Sequence, residues 1–330
     1  MSLGFHIKLQ ILWAIFDVQK IYYPLLAAVC VPVNVVTIAI LSRGKCGLSK
    51  CVTHYLVAMA AADLLVVIID LILRQVPIVY RDQFFFLLHV KMCNIHAILL
   101  YAATDCSVWF TVTFTFDRFV AICCQKLKLK YCTEQTATVV LGTVTVLSCL
   151  RNIFWYFLYT SEYWLSNSPW FCRVKIGVSR SLVWTIVELM HYILTPFIPF
   201  ILILLFNALM VRQILVSNRA RSRLRGRSSG ESPSDPEMEN RRKSMIVLFV
   251  ISGNFILLWV VFMVCSVLRR LDYLGYSVSP PTFLSEISFM LQLLSCCTNT
   301  FIYAVTQKKF REDLMNVVTC PFTMMLKLIR

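Results

Sequence analysis

Seven long runs of apolar residues, separated by shorter polar segments, organise this chain. Their approximate bounds are 21–42, 53–74, 90–123, 136–159, 183–215, 243–268 and 282–305. Each run reaches the length of about 20 residues that an α-helix needs to cross about 30 Å of hydrocarbon. Because lipid offers no partner for backbone polar groups, a spanning segment must pair them internally, and a helix does so. The pattern predicts an all-α membrane protein, a seven-transmembrane helix bundle over residues 21–305.

The composition agrees with a membrane protein. Hydrophobic residues make up 58% of the 330 residues and charged residues only 15%, which is too apolar for a soluble domain. The net charge is +15, and 20 of the 32 lysines and arginines fall in the segments that follow runs 1, 3, 5 and 7 or at the adjoining ends of runs 5 and 6, at Arg212 and Lys243. The positive-inside rule therefore places residues 1–20 outside and residues 306–330 in the cytoplasm of a multi-pass plasma-membrane protein. We expect these basic residues to contact anionic membrane lipids, and we expect no nucleic-acid partner.

Two of the predicted cytoplasmic segments have a distinctive composition. Residues 217–241 mix many basic residues with serine, glycine, proline and acidic residues, so we expect this third inner loop to be disordered. From Lys308 to Val318, basic and apolar residues alternate at helical spacing, which predicts a short amphipathic eighth helix on the inner membrane surface. Cys320 follows this helix and is a candidate for palmitoylation, with an unmodified cysteine as the alternative.

Polar residues within the apolar runs are candidates for function, because a buried charge pair is costly unless its neighbours satisfy it. Asp117 and Arg118 stand together at the cytoplasmic end of run 3, and Cys93 stands at the opposite end. Cys172 is the other cysteine that falls on the predicted outer side. We expect Cys93 and Cys172 to form a disulfide there, and two free thiols are the alternative.

A series of landmarks, each in the appropriate run, resembles the rhodopsin-like (class A) family of G-protein-coupled receptors. The landmarks are Asn34 in run 1, Asp63 in run 2, Trp109 and Asp117-Arg118-Phe119 in run 3, Pro199 in run 5, Phe255 and Trp259 in run 6, and Asn299-Thr300-Phe301-Ile302-Tyr303 in run 7. Run 3, the alanine-rich segment before Asp63 and the lack of a proline in run 7 look most like an orphan subgroup related to receptors for aromatic L-amino acids and peptides. The resemblance implies coupling to a heterotrimeric G protein, of the phospholipase-C-activating (Gq/11) class.

The resemblance also implies a switch at the cytoplasmic end of the bundle. Asp117 would hold Arg118 at rest and release it to the G protein when the sixth helix swings outward. Phe119, Asn207 and Tyr303 would belong to the same switch. Phe119 and Asn207 stand where the family usually has tyrosines, so two hydroxyl groups are missing there.

A second implied site lies in the middle of the bundle. In the family, a sodium ion binds a carboxylate surrounded by polar groups, here Asp63 with Asn34, Ser107, Ser295 and Asn299. Oxygen ligands suit a hard cation, while a hydrogen-bonded network without an ion is the alternative. Phe255 and Trp259 would form the aromatic switch above this site. Beyond sodium we expect no metal and no cofactor.

The outer halves of the runs supply candidates for a ligand pocket. The ionisable and aromatic candidates are Arg74, Tyr101, Asp105, Arg151, Glu188, His191, Trp259, Glu286 and Phe289. An arginine suits a ligand carboxylate because its guanidinium offers two parallel donors. Asp70 is four residues before Arg74, so a mutual ion pair is the competing interpretation of both residues. We expect a small amino acid or a peptide as the ligand.

Several positions depart from the family or exclude other ligands. Leu100 stands where amine receptors have an aspartate, and Leu293 stands where opsins have a lysine, so we expect neither amine binding nor light sensing. Val261 and Thr300 stand where the family has prolines in the sixth and seventh helices. The missing prolines leave the hinge geometry of these helices open.

Other classes of membrane protein fit the sequence less well. A membrane enzyme needs clustered catalytic groups, but the histidines are scattered without metal-binding spacing. A transporter is expected to show internal repeats and broken helices, and the sequence shows neither. An orphan receptor that signals constitutively or through partners, without a ligand, remains the main alternative.

Overall fold

The computed structural model describes residues 3–44, 47–167, 171–178, 181–225, 236–273, 276–306 and 308–317. Among these residues, seven helices are long and apolar enough to cross a membrane, which confirms the predicted bundle. We name them α1 to α7 in chain order. They are α1 (Leu3–Ser42), α2 (Lys50–Val66), α3 (Cys93–Cys123), α4 (Glu134–Asn152), α5 (Leu182–Tyr192 and Ile198–Arg225), α6 (Pro236–Tyr273) and α7 (Thr282–Thr306).

Two of these helices contain π-helical turns. The helix α2 continues through the π-helical segment Val67–Gln75 into a last turn at Val76–Val79. The two parts of α5 are joined by the π-helical segment Ile193–Phe197, where the backbone of Thr195 is not helical, with φ −154° and ψ 104°. Because π-helical turns change the facing of the residues that follow, they re-aim side chains within an otherwise continuous helix.

Shorter elements connect or follow the seven helices. They are a 3₁₀ helix at Phe85–His89, helical segments at Gln125–Tyr131 and Trp155–Leu158, and the strands β1 (Tyr159–Tyr163) and β2 (Cys172–Val174). The two strands pair antiparallel, with Tyr159 opposite Val174 and Tyr163 opposite Cys172. Residues 308–317 are helical, in agreement with the predicted eighth helix. We call the end of the bundle that carries β1 and β2 the hairpin end, and the opposite end the Asp117 end.

The helices α1, α5 and α6 extend well beyond the apolar runs that predict them. The helix α1 begins at Leu3, so much of the segment 1–20 is helical. The helix α5 runs to Arg225 and α6 begins at Pro236, so both enter the segment 217–241 that we expected to be disordered. Residues up to Arg225 include arginine, alanine and leucine, which favour helix even when the segment is polar. Residues 226–235 and Cys320 lie outside the described residues.

Serine and threonine side chains define where three of the helices begin. Ser49, Thr133 and Ser181 precede α2, α4 and α5, and each side-chain oxygen accepts a hydrogen bond from the backbone N–H three residues later, at 3.4, 3.2 and 3.2 Å. This satisfies one of the N–H groups that a helix start leaves unpaired. The polar connections between the runs therefore fix the starts of these helices.

The helix α3 lies at the centre of the bundle, in contact with α2, α4, α5 and α6. Most of its side chains are buried, including those of Asp105, Thr115 and Asp117, which are fully inaccessible. In contrast, large apolar side chains such as Leu65, Val139 and Leu257 are exposed on the outer faces of other helices. Exposed apolar faces suit lipid, so the arrangement keeps these charged and polar side chains in the interior and leaves apolar side chains on the outer faces.

Two disulfides join distant parts of the chain. The bond between Cys93 and Cys172 ties the start of α3 to β2 and confirms the predicted bridge. The bond between Cys30 and Cys297 joins α1 to α7 and was not predicted. Both of those cysteines lie within apolar runs, and the hydrophobic pattern does not reveal which helix faces which. The second bond is therefore a result of the three-dimensional packing.

Thr300, which replaces the proline of the seventh helix, contributes to packing. Its hydroxyl lies 2.7 Å from that of Thr37 on α1, and both residues are buried. Without a proline, α7 runs as an uninterrupted α-helix through this position. The substitution therefore exchanges a kink for a contact between α1 and α7.

We predict that the double substitution Cys93→Ala/Cys172→Ala lowers the free energy of unfolding by about 2–5 kcal/mol, the typical cost of losing a native disulfide. The physical reason is that this bond closes a loop between residues 79 positions apart and holds the hairpin on the bundle. Thermal unfolding of the purified protein in detergent measures the change. Cys149→Ala is the matched control, because Cys149 is an exposed free cysteine. Equal stability of the double variant and the control would contradict the prediction.

Candidate functional site

A cavity with about 400 Å³ of empty space lies between the helices toward the hairpin end. We call it the upper cavity. Its polar lining residues are Asp70, Arg74, Thr104, His191, Thr195 and Gln292. Its aromatic lining residues are Tyr101, Tyr192, Trp259, Phe262 and Phe289. Of the nine predicted pocket residues, the cavity therefore brings together Arg74, Tyr101, His191, Trp259 and Phe289.

Asp70 and Arg74 lie in the π-helical part of α2 and face the upper cavity. Both are buried, with 2% and 4% of their surfaces exposed, and Arg74 Nε lies 3.0 Å from Asp70 Oδ1. The guanidinium carbon of Arg74 is 5.6 Å from the ring centre of Phe171 and 5.1 Å from that of Phe289. The predicted mutual pairing therefore exists, and it occurs at the wall of the cavity.

Asp105 and Arg151, in contrast, do not line the upper cavity. They form an ion pair between α3 and α4, and Asn152 Nδ2 also donates to Asp105 Oδ2 at 2.5 Å. Arg151 Nη2 donates to Thr195 Oγ1 at 2.9 Å, which extends the network to α5. Because each charged group has its partner within the protein, this network holds three helices together. Neither residue is part of the lining of the upper cavity.

The two glutamates among the pocket candidates also lie away from the upper cavity. Glu286 Oε2 accepts hydrogen bonds from Gln19 on α1 at 3.0 Å and from Asn167 at 3.2 Å. Asn167 belongs to the segment between the two strands, so this contact fastens the hairpin to α1 and α7. Glu188 on α5 is buried, with 1% of its surface exposed, and is absent from the cavity lining. Neither glutamate is placed to meet a molecule in the upper cavity.

Trp259 separates the upper cavity from a second, more polar one. It lines both cavities, stacks on Phe255 with 5.3 Å between ring centres, and packs with Val108 and Ile203. Its indole Nε1 donates to Ser295 Oγ on α7 at 3.1 Å. The predicted aromatic switch pair is therefore in contact, and its tryptophan connects α3, α5, α6 and α7.

The second cavity, which we call the lower cavity, surrounds Asp63 and has about 260 Å³ of empty space. Ser107 Oγ donates to Asp63 Oδ1 at 2.6 Å, and Asn299 Nδ2 donates to Oδ2 at 2.7 Å. Ser295 and Asn254 also line it. Four of the five residues predicted for this site, Asp63 included, are thus together, and Asn254 joins them.

Asn34, the fifth residue, lies elsewhere. Its side-chain amide donates to the backbone oxygen of Cys30 at 3.0 Å and to that of Cys296 at 2.9 Å. It is buried between α1 and α7 and does not line the lower cavity. Its contacts indicate a role in joining these two helices.

At the opposite end of α3, Asp117 and Arg118 form the predicted pair. Arg118 Nε lies 3.0 Å from Asp117 Oδ2, and Nη2 also contacts that oxygen. Cys51 Sγ on α2 donates to Asp117 Oδ1 at 3.3 Å, and Cys132 Sγ donates to the backbone oxygen of Asp117 at 3.6 Å. Burial and the nearby Asp117 raise the pKa of Cys132 to about 12, so its thiol keeps the proton that it donates.

The other three predicted switch residues make different contacts. Phe119 stacks on Phe206 of α5, with 5.5 Å between ring centres. Tyr303 packs against Phe310, and within the described residues its hydroxyl has no hydrogen-bond partner. The side-chain oxygen of Asn207 likewise has none there. An unpaired buried polar atom is costly, so these two groups are suited to finding partners in another arrangement of the helices.

The chain is similar to known proteins along most of its length. The family model described as "7 transmembrane receptor (rhodopsin family)" matches residues 33–303. The chain belongs to this family. The match spans the two cavities and the Asp117–Arg118 pair, so the residues of the site lie within the matched region.

Individual relatives are distant. The receptor is 24% identical over 292 residues to the 5-hydroxytryptamine receptor 4 of Cavia porcellus, which covers 81% of this chain and 70% of the relative. It is 25% identical over 319 residues to the probable G-protein coupled receptor 142 of Mus musculus, covering 91% and 73%. It is 22% identical over 306 residues to the human G-protein coupled receptor 39, covering 83% and 66%. The protein is therefore a G-protein-coupled receptor and not an enzyme.

Several lining residues were missed in the sequence. Thr104, Phe262 and Gln292 each lie three positions after a predicted pocket residue, namely Tyr101, Trp259 and Phe289. Residues three apart share a helix face, so this spacing was a usable signal. Asn254 and Cys51 carried no such signal, because their contacts depend on how α6 and α2 are rotated in the bundle.

We predict that Arg151→Met lowers the free energy of unfolding by about 3–5 kcal/mol, because it leaves the fully buried Asp105 carboxylate without its countercharge. The double substitution Asp105→Asn/Arg151→Met removes both charges and is expected to recover much of the loss. Lys50→Met is the control, since Lys50 pairs with Glu134 on the exposed surface. Thermal unfolding in detergent compares the three variants, and equal stability of the single and double variants would refute the prediction.

Proposed function

We propose that the receptor resides in the plasma membrane with its hairpin end outside and binds a small amino acid or peptide in the upper cavity. Binding is transmitted to a heterotrimeric G protein at the Asp117 end through an outward movement of α6. The finer assignment is to the orphan subgroup related to receptors for aromatic L-amino acids and peptides, with coupling through the phospholipase-C-activating class of G protein.

The single observation that carries this proposal is the position of Trp259. Its ring is part of the wall of both cavities, and its indole nitrogen bonds to Ser295 at 3.1 Å. A molecule that displaces Trp259 from above therefore also changes the polar contacts below. Such a change biases one packing of the helices against another, which is how a local contact becomes a switch.

The proposed orientation is supported by charge and by redox chemistry. The segments at the Asp117 end hold most of the basic residues, as expected of cytoplasmic loops. The disulfide between Cys93 and Cys172 lies at the hairpin end, and such bonds persist on the oxidising side of a membrane. Both observations support an outside position for residues 1–20 and a cytoplasmic position for residues 306–330.

The Asp117 end supports the second half of the proposal. Leu248 and Ile251 of α6 pack in one apolar cluster with Met210 of α5 and Tyr303 of α7. An outward movement of α6 separates these side chains and opens space beside Arg118. Arg118 then exchanges Asp117 for contacts with the G protein, and the unpaired Tyr303 hydroxyl gains room to find a partner.

The lower cavity fits a sodium ion by its chemistry. Asp63 offers a carboxylate with lone pairs beyond those used by Ser107 and Asn299, and Ser295 adds a hydroxyl oxygen. A set of oxygen donors around one carboxylate suits a hard cation. When bound, the ion would supply a positive charge beside Asp63 and stabilise the arrangement in which these side chains remain together.

Two residues that line the upper cavity bear on the class of ligand. One relative is named for 5-hydroxytryptamine, but this chain has Leu100 at the position where amine receptors use an aspartate, and Leu100 lines the upper cavity. An amine without a carboxylate therefore lacks its usual partner here. A ligand with a carboxylate finds Arg74 in the same cavity.

The test is calcium release in cells that express the receptor, with tryptophan, phenylalanine and short peptides as agonists and chimeric G proteins to cover other couplings. We expect a concentration-dependent response that Arg118→Ala abolishes. Arg173→Ala is the matched control, because Arg173 pairs with Glu162 on the exposed hairpin.

Basal signalling is measured in the same cells. High basal output that depends on Arg118, with no response to any agonist, would instead support a receptor that signals without a ligand. Normal surface expression with neither basal nor agonist-dependent output would remove the proposal.

A further inference from the structure

The helix α6 lacks the proline that the family has in its sixth helix, and the helix continues unchanged through that position. Val261 stands there, and α6 runs as an α-helix from Pro236 to Tyr273. A residue with a backbone N–H keeps the helical hydrogen bond that a proline removes. A bend in α6 during its outward movement therefore requires another weak point.

The sequence of α6 contains one glycine, Gly253, which follows a serine directly. Sharp bends in helices occur at prolines, at pairs of glycine and serine and at π-helical turns. Glycine weakens a helix because its backbone has the most conformational freedom to lose. A Cβ atom added to Gly253 would meet no atom of the described residues within 4 Å, so packing does not require a glycine here. The pair Ser252–Gly253 is therefore the place where α6 bends most readily.

We propose that Ser252 and Gly253 form the pivot of α6 and that Asn254 anchors this pivot to α7. In the outward movement, the part of α6 on the Asp117 side of the pivot moves away from the bundle. The part on the hairpin side stays in place on α7. The inference rests on the α6 movement in the proposed function and adds which residues position that movement.

The hydroxyl group of Ser252 is available to stabilise the bent helix. Its side chain is fully buried, and its Oγ has no hydrogen-bond partner within the described residues. A bend at Gly253 loosens the nearby backbone hydrogen bonds, including the one that the carbonyl of Leu248, four residues before Ser252, accepts in a straight helix. Within a membrane, serine hydroxyls can pair carbonyls that are freed in this way. The straight helix thus leaves the hydroxyl unpaired, and the bent helix gives it a partner.

Hydrogen bonds hold the hairpin side of the pivot to α7. Asn254 Nδ2 donates to Thr298 Oγ1 at 2.7 Å, and Trp259 Nε1 donates to Ser295 Oγ at 3.1 Å. Thr298 Oγ1 in turn donates to the backbone oxygen of Ser295 at 2.9 Å, which orients the oxygen that accepts from Asn254. Because Asn254 directly follows Gly253, the anchored part of α6 begins immediately after the pivot.

The Asp117 side of the pivot is held differently. Residues 245–251 are all apolar, so their side chains donate no hydrogen bond to α5 or α7. Leu248 and Ile251 instead pack with Met210 of α5 and Tyr303 of α7. Apolar contacts between helices are readily exchanged for contacts with lipid, which is equally apolar, whereas a hydrogen bond broken in hydrocarbon finds no substitute there. The restraint on α6 therefore changes in kind at Ser252–Gly253.

The position of the pivot sets the size of the movement. Run 6 begins at residue 243, ten positions before Gly253, which corresponds to about 15 Å along a helix. A bend of about 20°, the size of a sharp kink, displaces that end of α6 by about 5 Å. A pivot at Val261 would instead carry Asn254 along and break its bond to Thr298. The two positions therefore predict different movements on the hairpin side of Gly253.

Distances between two spin labels test the pivot in the full-length receptor in lipid nanodiscs. One label is placed at Ile246 or at Leu257, on either side of the pivot, and the other at Val139 of α4, and all three side chains are exposed. Non-canonical amino acids carry the labels, because a thiol reagent would also react with the exposed Cys149. The receptor is measured alone and with purified, nucleotide-free heterotrimeric G proteins. We expect a second distance from Ile246, longer by about 5 Å, and a single distance from Leu257.

Gly253→Ala stiffens the pivot, because alanine favours a straight helix over a bent one. We expect it to lower the population of the second distance by about two- to fivefold. Gly142→Ala is the matched control, since Gly142 lies in the middle of α4 and likewise has open space where a Cβ atom would be added. Both substitutions are expected to raise the unfolding temperature, and only Gly253→Ala is expected to change the distances.

Ser252→Ala separates the role of the hydroxyl from folding. It removes a group that is unpaired in the straight helix, so we expect no loss of thermal stability. The bent helix loses a hydrogen bond, so the population of the second distance is expected to fall by about threefold. A lower unfolding temperature with an unchanged population would show that Ser252 serves the straight helix, and would count against the pivot.

Equal shifts at Ile246 and Leu257 would overturn the inference, as would a single distance from Ile246 under all conditions or the same effect of Gly253→Ala and Gly142→Ala on the distances. If Gly253→Ala reduces a second distance in the receptor alone and no G protein binds, the pivot stands and the proposed function fails. If a G protein binds and shifts Ile246 equally in wild type and Gly253→Ala, the pivot fails and the proposed function stands.

Discussion

The arrangement of this bundle depends on polar groups finding partners inside the protein, because the surrounding hydrocarbon offers none. The central helix α3 shows this at three depths. Asp105 pairs with Arg151 of α4 near the hairpin end, Ser107 bonds to the carboxylate of Asp63 on α2, and Asp117 accepts a hydrogen bond from Cys51 of α2 at the far end. Each pairing fixes how a neighbouring helix is rotated against α3. Once the polar groups are paired inside, the apolar faces of the helices are left facing the lipid.

The same rule explains why the functional region is divided in two. Above Trp259, Arg74 Nη2 and Thr104 Oγ1 have no hydrogen-bond partner among the described residues, whereas both oxygens of Asp63 below it accept hydrogen bonds from protein donors. The upper cavity can therefore offer hydrogen bonds to a bound molecule. In the lower cavity, the hydrogen bonds of Asp63 either persist or break when the helices move. Trp259 is the residue through which the two regions influence each other, since it contributes to both walls.

Much of the fold could be predicted from the sequence, because a run of about 20 apolar residues has few other interpretations. The bridge from Cys93 was predictable for a similar reason, since few cysteines fall on that side. Partners across helices were harder to predict. Arg151 looked like a ligand contact because its partner, Asp105, lies on another run, and sequence spacing cannot show that they meet. Sequence spacing likewise cannot show that the side chain of Asn34 bonds to the backbone of α7, because that contact is decided by packing.

The bond between Cys30 and Cys297 has a consequence for the mechanics of the receptor. Together with the contacts of Asn34 and Thr37, it makes α1 and α7 one body over their middle turns. The carboxylate-binding Asn299 sits on that body. A sliding or rotation of α7 must therefore also move α1, and the contacts of α1 with α2 oppose that movement. The movement of α6 is then the less restricted one, because α6 is held to α7 by hydrogen bonds and side-chain packing and by no covalent bond in the described part of the chain.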